Sequence, residues 1–97
     1  MLFRSERDGK VLGLCHYIYH RSTSSIELRC YLQDLFTAAD ERGHGIGRAL
    51  IEAVYDIAKN AGCKRVYWLT HSTNTPGRTL YDKVAKNFGF IQYAKDL

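Results

Sequence analysis

Three glycines at alternate positions, Gly43, Gly45 and Gly47, lead straight into an apolar, helix-forming run in "DERGHGIGRAL", Asp40 to Leu50. A glycine inside a helix costs about 0.5–1 kcal/mol relative to alanine, so this spacing is expensive unless the backbone itself is used. The first N–H groups of a helix have no internal acceptor and carry the positive end of its dipole. Glycines there remove the Cβ atoms that would hold an anion away, which makes the turn a cradle for phosphate.

Spacing then separates the phosphate-binding devices. The dinucleotide fingerprint G-x-G-x-x-G fails, because Arg48 stands three positions beyond Gly45 and no acidic ribose ligand ends the next apolar run, "RVYWLTH". The P-loop fails as well, since no Lys-Ser/Thr pair opens the helix. What remains is Arg42-Gly43-His44-Gly45-Ile46-Gly47.

The flanking sequence supplies the elements around this turn. "LFRSER" and "KVLGLCHYIYH" flank Asp8-Gly9, the pair that favours a tight type I′ turn, and predict a hairpin from Leu2 to Tyr19. After the polar loop Arg21 to Ser25, "IELRCYLQDLFT" predicts a long strand from Glu27 to Thr37. Ile46, Leu50, Val54, Ile57, Ala58 and Ala61 fall on one helical face, and Gly62 supplies the cap of a helix from about Gly45 to Ala61. "KRVYWLTH" reads as a strand buried on both faces. Asn74 or Thr75 caps a second helix, with Pro76 in its first turn and Leu80, Val84 and Phe88 as its stripe. A last strand is expected from Phe90 to Ala94.

Ninety-seven residues suit one domain, 1–97, and 45% hydrophobic residues with a single proline describe a packed chain. No apolar run approaches the roughly 18 residues that cross a bilayer, and the start lacks the apolar core of a signal peptide, so a cytoplasmic location and no membrane partner are expected. Cys15, Cys30 and Cys63 show no C-x-x-C spacing and read as reduced structural thiols. His16 and His20 on a strand stand about 13 Å apart, too far to share a zinc ion, and no metal is expected. The net charge of +4 favours an anionic ligand, but neither a helix-turn-helix nor an aromatic-basic stripe points to nucleic acid.

The Arg42–Gly47 run resembles the R/Q-x-x-G-x-G/A signature of the GNAT superfamily of acyl-CoA-dependent N-acetyltransferases. The likeness continues through "LQDLFTAADERGHGIGRALIEAVYDIAKNAGCKRVYWLT" and "NTPGRTLYDKVAKNFGFIQY", the latter most similar to the histone-acetyltransferase-like branch. It implies an α/β (α+β) fold: a mixed, mostly antiparallel sheet with a central β-α-β unit. It implies acetyl-CoA as cosubstrate and an amine as acceptor. Main-chain groups at Leu35, Phe36 and Thr37 would meet the pantetheine arm. Arg42, Gly43, His44, Gly45, Ile46 and Gly47 would hold the diphosphate, with Arg48 adding charge.

Asn74 would contact the cofactor arm, and Tyr81 matches the tyrosine that protonates the departing thiolate. The position of the family's strand glutamate is Tyr31 here, which leaves Asp34, or Glu27 at the strand's start, to act as general base. The resemblance begins at the hairpin and omits the strand and helices that usually precede it. An N-terminally truncated domain is therefore expected, with an incomplete acceptor wall and a sheet edge or face that favours a homodimer. A non-catalytic CoA-binding module is the alternative function.

Overall fold

The computed structural model describes residues 1–7, 10–21, 27–37 and 45–97. Along the chain these form β1 (Leu2–Arg7), β2 (Lys10–Arg21), β3 (Leu28–Thr37), α1 (Ile46–Asn60), β4 (Arg65–Tyr67) and α2 (Thr75–Val84). The strands lie in the order β1-β2-β3-β4; the first two pairings are antiparallel and the β3–β4 pairing is parallel. This is the expected mixed sheet, with β3-α1-β4 as its strand-helix-strand unit. The Asp8-Gly9 turn and residues 22–26 lie outside the described residues.

Helix α1 follows its apolar periodicity. Leu50, Ile51, Val54 and Ala58 are buried on one face against Cys15, Tyr17, Cys30 and Leu32 of β2 and β3. Each large side chain sealed this way contributes about 1.5–3 kcal/mol. The helix stops at Gly62, whose φ of +87° suits glycine, while the Gly62 amide donates to the Lys59 carbonyl and the Cys63 amide to that of Ala58. That is the paired C-terminal cap in which a left-handed residue returns two amides to the last turn. All three cysteines are free, and burial pushes the Cys30 thiol up from 9.0 to about 11.

Alternation along the strands assigns the other face. His16, Ile18, His20, Arg29 and Tyr31 sit between the buried positions of β2 and β3 and so project away from α1. No described helix covers them. One irregularity interrupts the alternation: His16 pairs with Asp34 while Tyr17 pairs with Leu32, so Gln33 is a surplus residue on β3. Beyond this bulge the residue packed on the core is Leu35, not an even-numbered neighbour.

The C-terminal third departs from expectation. β4 spans only three residues and none is buried, because pairing with β3 ends at Tyr67. α2 ends at Val84, one turn short of Phe88; the Tyr55 hydroxyl donates to the Val84 carbonyl at 2.8 Å and takes the place of a further turn's amide. No strand forms from Phe90 to Ala94. Gly89 turns the chain with φ +82°, and three residues of β4 offer too short an edge to hold a ladder. Phe90, Ile91 and Tyr93 are left exposed.

Candidate functional site

The parallel ladder joins Arg29 to Arg65, Cys30 to Val66 and Tyr31 to Tyr67, and there it stops. β3 runs on to Thr37 while the chain after Tyr67 leaves the sheet, so the β3 edge from Leu32 onward has no described strand beside it. The Gln33 bulge falls at the point of separation and bends β3 locally. A cleft of about 230 Å³ fills the gap. Leu32 to Leu35 form one wall, Trp68 and Leu69 the other, with Ile51 and Tyr81 also lining it. Its volume is below the roughly 300–1,000 Å³ of sites for compact small molecules, which suits a slender chain.

The first turn of α1 lies against the end of β3. Gly45 caps α1 in a left-handed conformation, φ +78°, without a side-chain cap, and the first turn of α1 carries no acidic residue. Among the described residues no acidic side chain stands in this first turn to compete for the leading amides and the helix dipole. At Gly47 a Cβ would lie 3.4 Å from Leu80 Cδ2 and 3.7 Å from Thr37 Oγ1, so the end of β3, the first turn of α1 and α2 meet there. Arg42, Gly43 and His44 lie outside the described residues. Ile46 packs on the core, and Arg48 is drawn along the helix, its Nε donating to Glu52 Oε1 at 2.9 Å.

Tyr81 enters the cleft from α2. Its ring meets Trp68 edge-on with 5.4 Å between centroids, and Trp68 in turn stacks on Tyr55 of α1 at 6.4 Å. Burial pushes the Tyr81 phenol above its ordinary value of 10.0, which keeps its proton in place at neutral pH. Asn74 caps α2: its Oδ1 accepts from the Gly77 amide at 3.3 Å and its Nδ2 donates to Thr70 Oγ1 at 2.9 Å. Its side chain therefore fixes the segment that leads from the cleft wall into α2.

Of the two candidate carboxylates, only Asp34 lines the cleft; Glu27 precedes β3 at its opposite end. Asp34 is 66% exposed and its Oδ2 stands 3.9 Å from His16 Nδ1. Leu35 and Thr37 are half-buried and Phe36 is exposed, with Leu35 alone of the three lining the cleft. His71 is exposed and does not line the cleft. Among the described residues no group of three or more His, Cys, Asp or Glu side chains is placed to hold a metal ion.

Sequence reasoning passed over Trp68 and Gln33, which line the cleft, and a cluster at its apex. Tyr31 stacks on Tyr67 with 5.0 Å between centroids, and the Tyr67 hydroxyl reaches across β3 to His20 Nε2 at 2.5 Å. His20 Nδ1 lies 3.1 Å from the Arg21 carbonyl, which can only accept, so Nδ1 carries the proton and Nε2 receives the Tyr67 hydroxyl. Adjacent aromatic positions on neighbouring strands were the available signal.

Comparison with known proteins bears on this geometry. Residues 1–90 match the acetyltransferase (GNAT) family. The chain is 35% identical over 88 residues to a D-amino-acid N-acetyltransferase of Saccharomyces cerevisiae, covering 91% of this chain and 55% of that protein. It is 29% identical over 82 residues to an N-alpha-acetyltransferase of Schizosaccharomyces pombe, covering 84% of this chain and 50% of the relative. An integron cassette protein from the mobile metagenome of V. cholerae superimposes with a TM-score of 0.89 at 27% identity, over 99% of this chain and 60% of that one. The chain thus spans about half the length of the curated relatives it matches.

Proposed function

The chain belongs to the acetyltransferase (GNAT) family, and from that premise we propose that it moves the acetyl group of acetyl-CoA to a primary amine by direct attack. The observation that carries this reading is the cleft at the β3–β4 split, lined by Tyr81, together with the uncapped first turn of α1 that meets the end of β3 at Thr37. Together they fit a slender arm with an anionic end. Backbone groups of Leu35, Phe36 and Thr37 on the free β3 edge would hold the pantetheine arm. The amides of Gly45, Ile46 and Gly47, continued by Arg42, Gly43 and His44, would hold the diphosphate, where Arg48 and Glu52 are already paired.

Acetyl-CoA supplies the thioester. As the amine nitrogen bonds to the acetyl carbon and the carbon–sulfur bond breaks, Tyr81 donates its proton to the departing thiolate. Asp34 accepts the proton that the ammonium must lose. Asn74 keeps the cleft wall and α2 in register through Thr70 and Gly77. Three free cysteines suit a reducing cytoplasm. The exposed Phe90, Ile91 and Tyr93 favour a homodimer, which light scattering tests; a species of only 11.1 kDa at working concentration would refute it.

The second reading is a CoA-binding module without turnover, in which the cleft and the first turn of α1 hold the cofactor and Asp34, 66% exposed, serves no transfer. Calorimetric titration with acetyl-CoA, beside a free-thiol release assay over a panel of amines, decides between them. Binding with acetyl transfer supports the enzyme, binding alone supports the module, and no binding removes both.

A further inference from the structure

The sheet face opposite α1 carries an ordered set of side chains that the cofactor track does not use. At the cleft stands Asp34, backed by His16 at 3.9 Å. Next along β3 on the same face is Tyr31, in register with Ile18 of β2, which is 42% exposed. Beyond lies Arg29, in register with His20 on one side and Arg65 on the other. Arg65 is turned aside, with its guanidinium 4.9 Å from the centre of the Phe88 ring. Arg29 is half-buried and makes neither a hydrogen bond nor an ion pair with a described residue.

The far end of this face is rigidly built. Tyr67 stacks on Tyr31 and is tied to His20, whose own proton is committed to the Arg21 carbonyl. Arg29 stands two residues before Tyr31 on this face of β3, the next position along the strand from the stacked Tyr31–Tyr67 pair, and its charge partly offsets the rise that burial gives the Tyr67 phenol. A cation next to a fixed aromatic wall, its donors engaged by no described residue, is suited to a carboxylate or phosphate.

Resting on the acetyl-transfer reading, we propose that this face is the acceptor's track. Asp34 takes the ammonium at the cleft, Tyr31 and Ile18 take an apolar body, and Arg29 takes an anionic group at the far end. Four strand residues, one of them the bulge residue, separate Arg29 from Asp34, and at roughly 3.3 Å per residue the two charges stand about 10–15 Å apart. The acceptor class is therefore an amine that carries a carboxylate about one extended tetrapeptide away from its nitrogen.

Calorimetry on the full chain tests this with the peptide Gly-Phe-Ala-Gly, as the free acid and as the C-terminal amide. The acid is expected to bind about tenfold tighter than the amide, Arg29→Gln to bring the ratio to one, and Arg29→Lys to restore part of it. Lys59→Gln removes the same charge from the opposite face and is expected to leave the ratio intact. Equal binding of acid and amide by the unaltered chain, or a preference that survives Arg29→Gln, overturns the proposal. Thiol release from acetyl-CoA, measured separately, judges the transfer reading: a preference without release removes the enzyme and keeps the clamp, while release without a preference does the reverse.

Discussion

Tyr81 meets Trp68 edge to ring, 5.4 Å between centroids, so this phenol is held in the cleft by packing, and among the described residues its hydroxyl has no hydrogen-bond partner. Tyr81→Phe preserves that contact and removes only the proton. In an enzyme it lowers kcat by about 100-fold or more while the dissociation constant for acetyl-CoA stays unchanged. Steady-state kinetics and calorimetry on the same preparation check the split.

Gly47 separates binding from stability. An alanine Cβ there meets Leu80 Cδ2 at 3.4 Å, an ordinary contact, and a helical alanine gains up to about 0.5–1 kcal/mol over glycine. The same methyl group stands in the first turn of α1, where the diphosphate is expected. Gly47→Ala should raise the denaturation midpoint slightly and weaken CoA binding by about tenfold or more. A variant that is stabilised and binds CoA normally would move the diphosphate elsewhere.

Gly13 is constrained by close approach. A Cβ at this position falls 2.8 Å from the Phe36 carbonyl oxygen and 2.9 Å from Ile46 Cγ2. The backbone of β3 cannot retreat without moving the cleft wall, so Gly13→Ala costs about 1–3 kcal/mol. Urea unfolding with an unchanged m-value measures it.

The Cys30 thiol has a folded pKa of about 11 against an ordinary 9.0, because the folded chain buries it. A raised folded value means the unfolded state releases its proton first. Stability is full below pH 9 and falls by about 2–3 kcal/mol in all as pH rises towards 11. Denaturant melts between pH 8 and 11 should show this slope, and Cys30→Ala should flatten it by one proton.

Much of this was readable from residue order. The apolar spacing from Ile46 to Ala58 and the Gly62 cap describe α1 closely, because a long amphipathic helix depends on its own pattern. The Asn74–Pro76 pair likewise marks the start of α2. The end of α2 was not readable, since it depends on Tyr55 reaching the Val84 carbonyl from another helix. "KRVYWLTH" reads from composition as a strand buried on both faces, yet the extent of β4 is set by where β3 bends away. Asp34 could be named as a candidate from sequence, but its place at the cleft follows from the bulge one residue before it. The pairing of Tyr67 with His20, residues far apart in the chain, has no local signature.

The surplus residue at Gln33 gives β3 something like a reading frame. Up to Leu32 the even positions face the core, and after the bulge Leu35 does. Deleting the surplus residue would leave Asp34 facing away from the core and Leu35 toward it, as in a regular strand, but would remove the bend that the bulge gives β3 at the cleft. Variation at this site should therefore be permissive in residue type, while its length sets the shape of the cleft and not the packing of the core. Substitutions at position 33 are compatible with the cleft, whereas a single-residue deletion there keeps the core face of β3 and loses the bend beside the cleft.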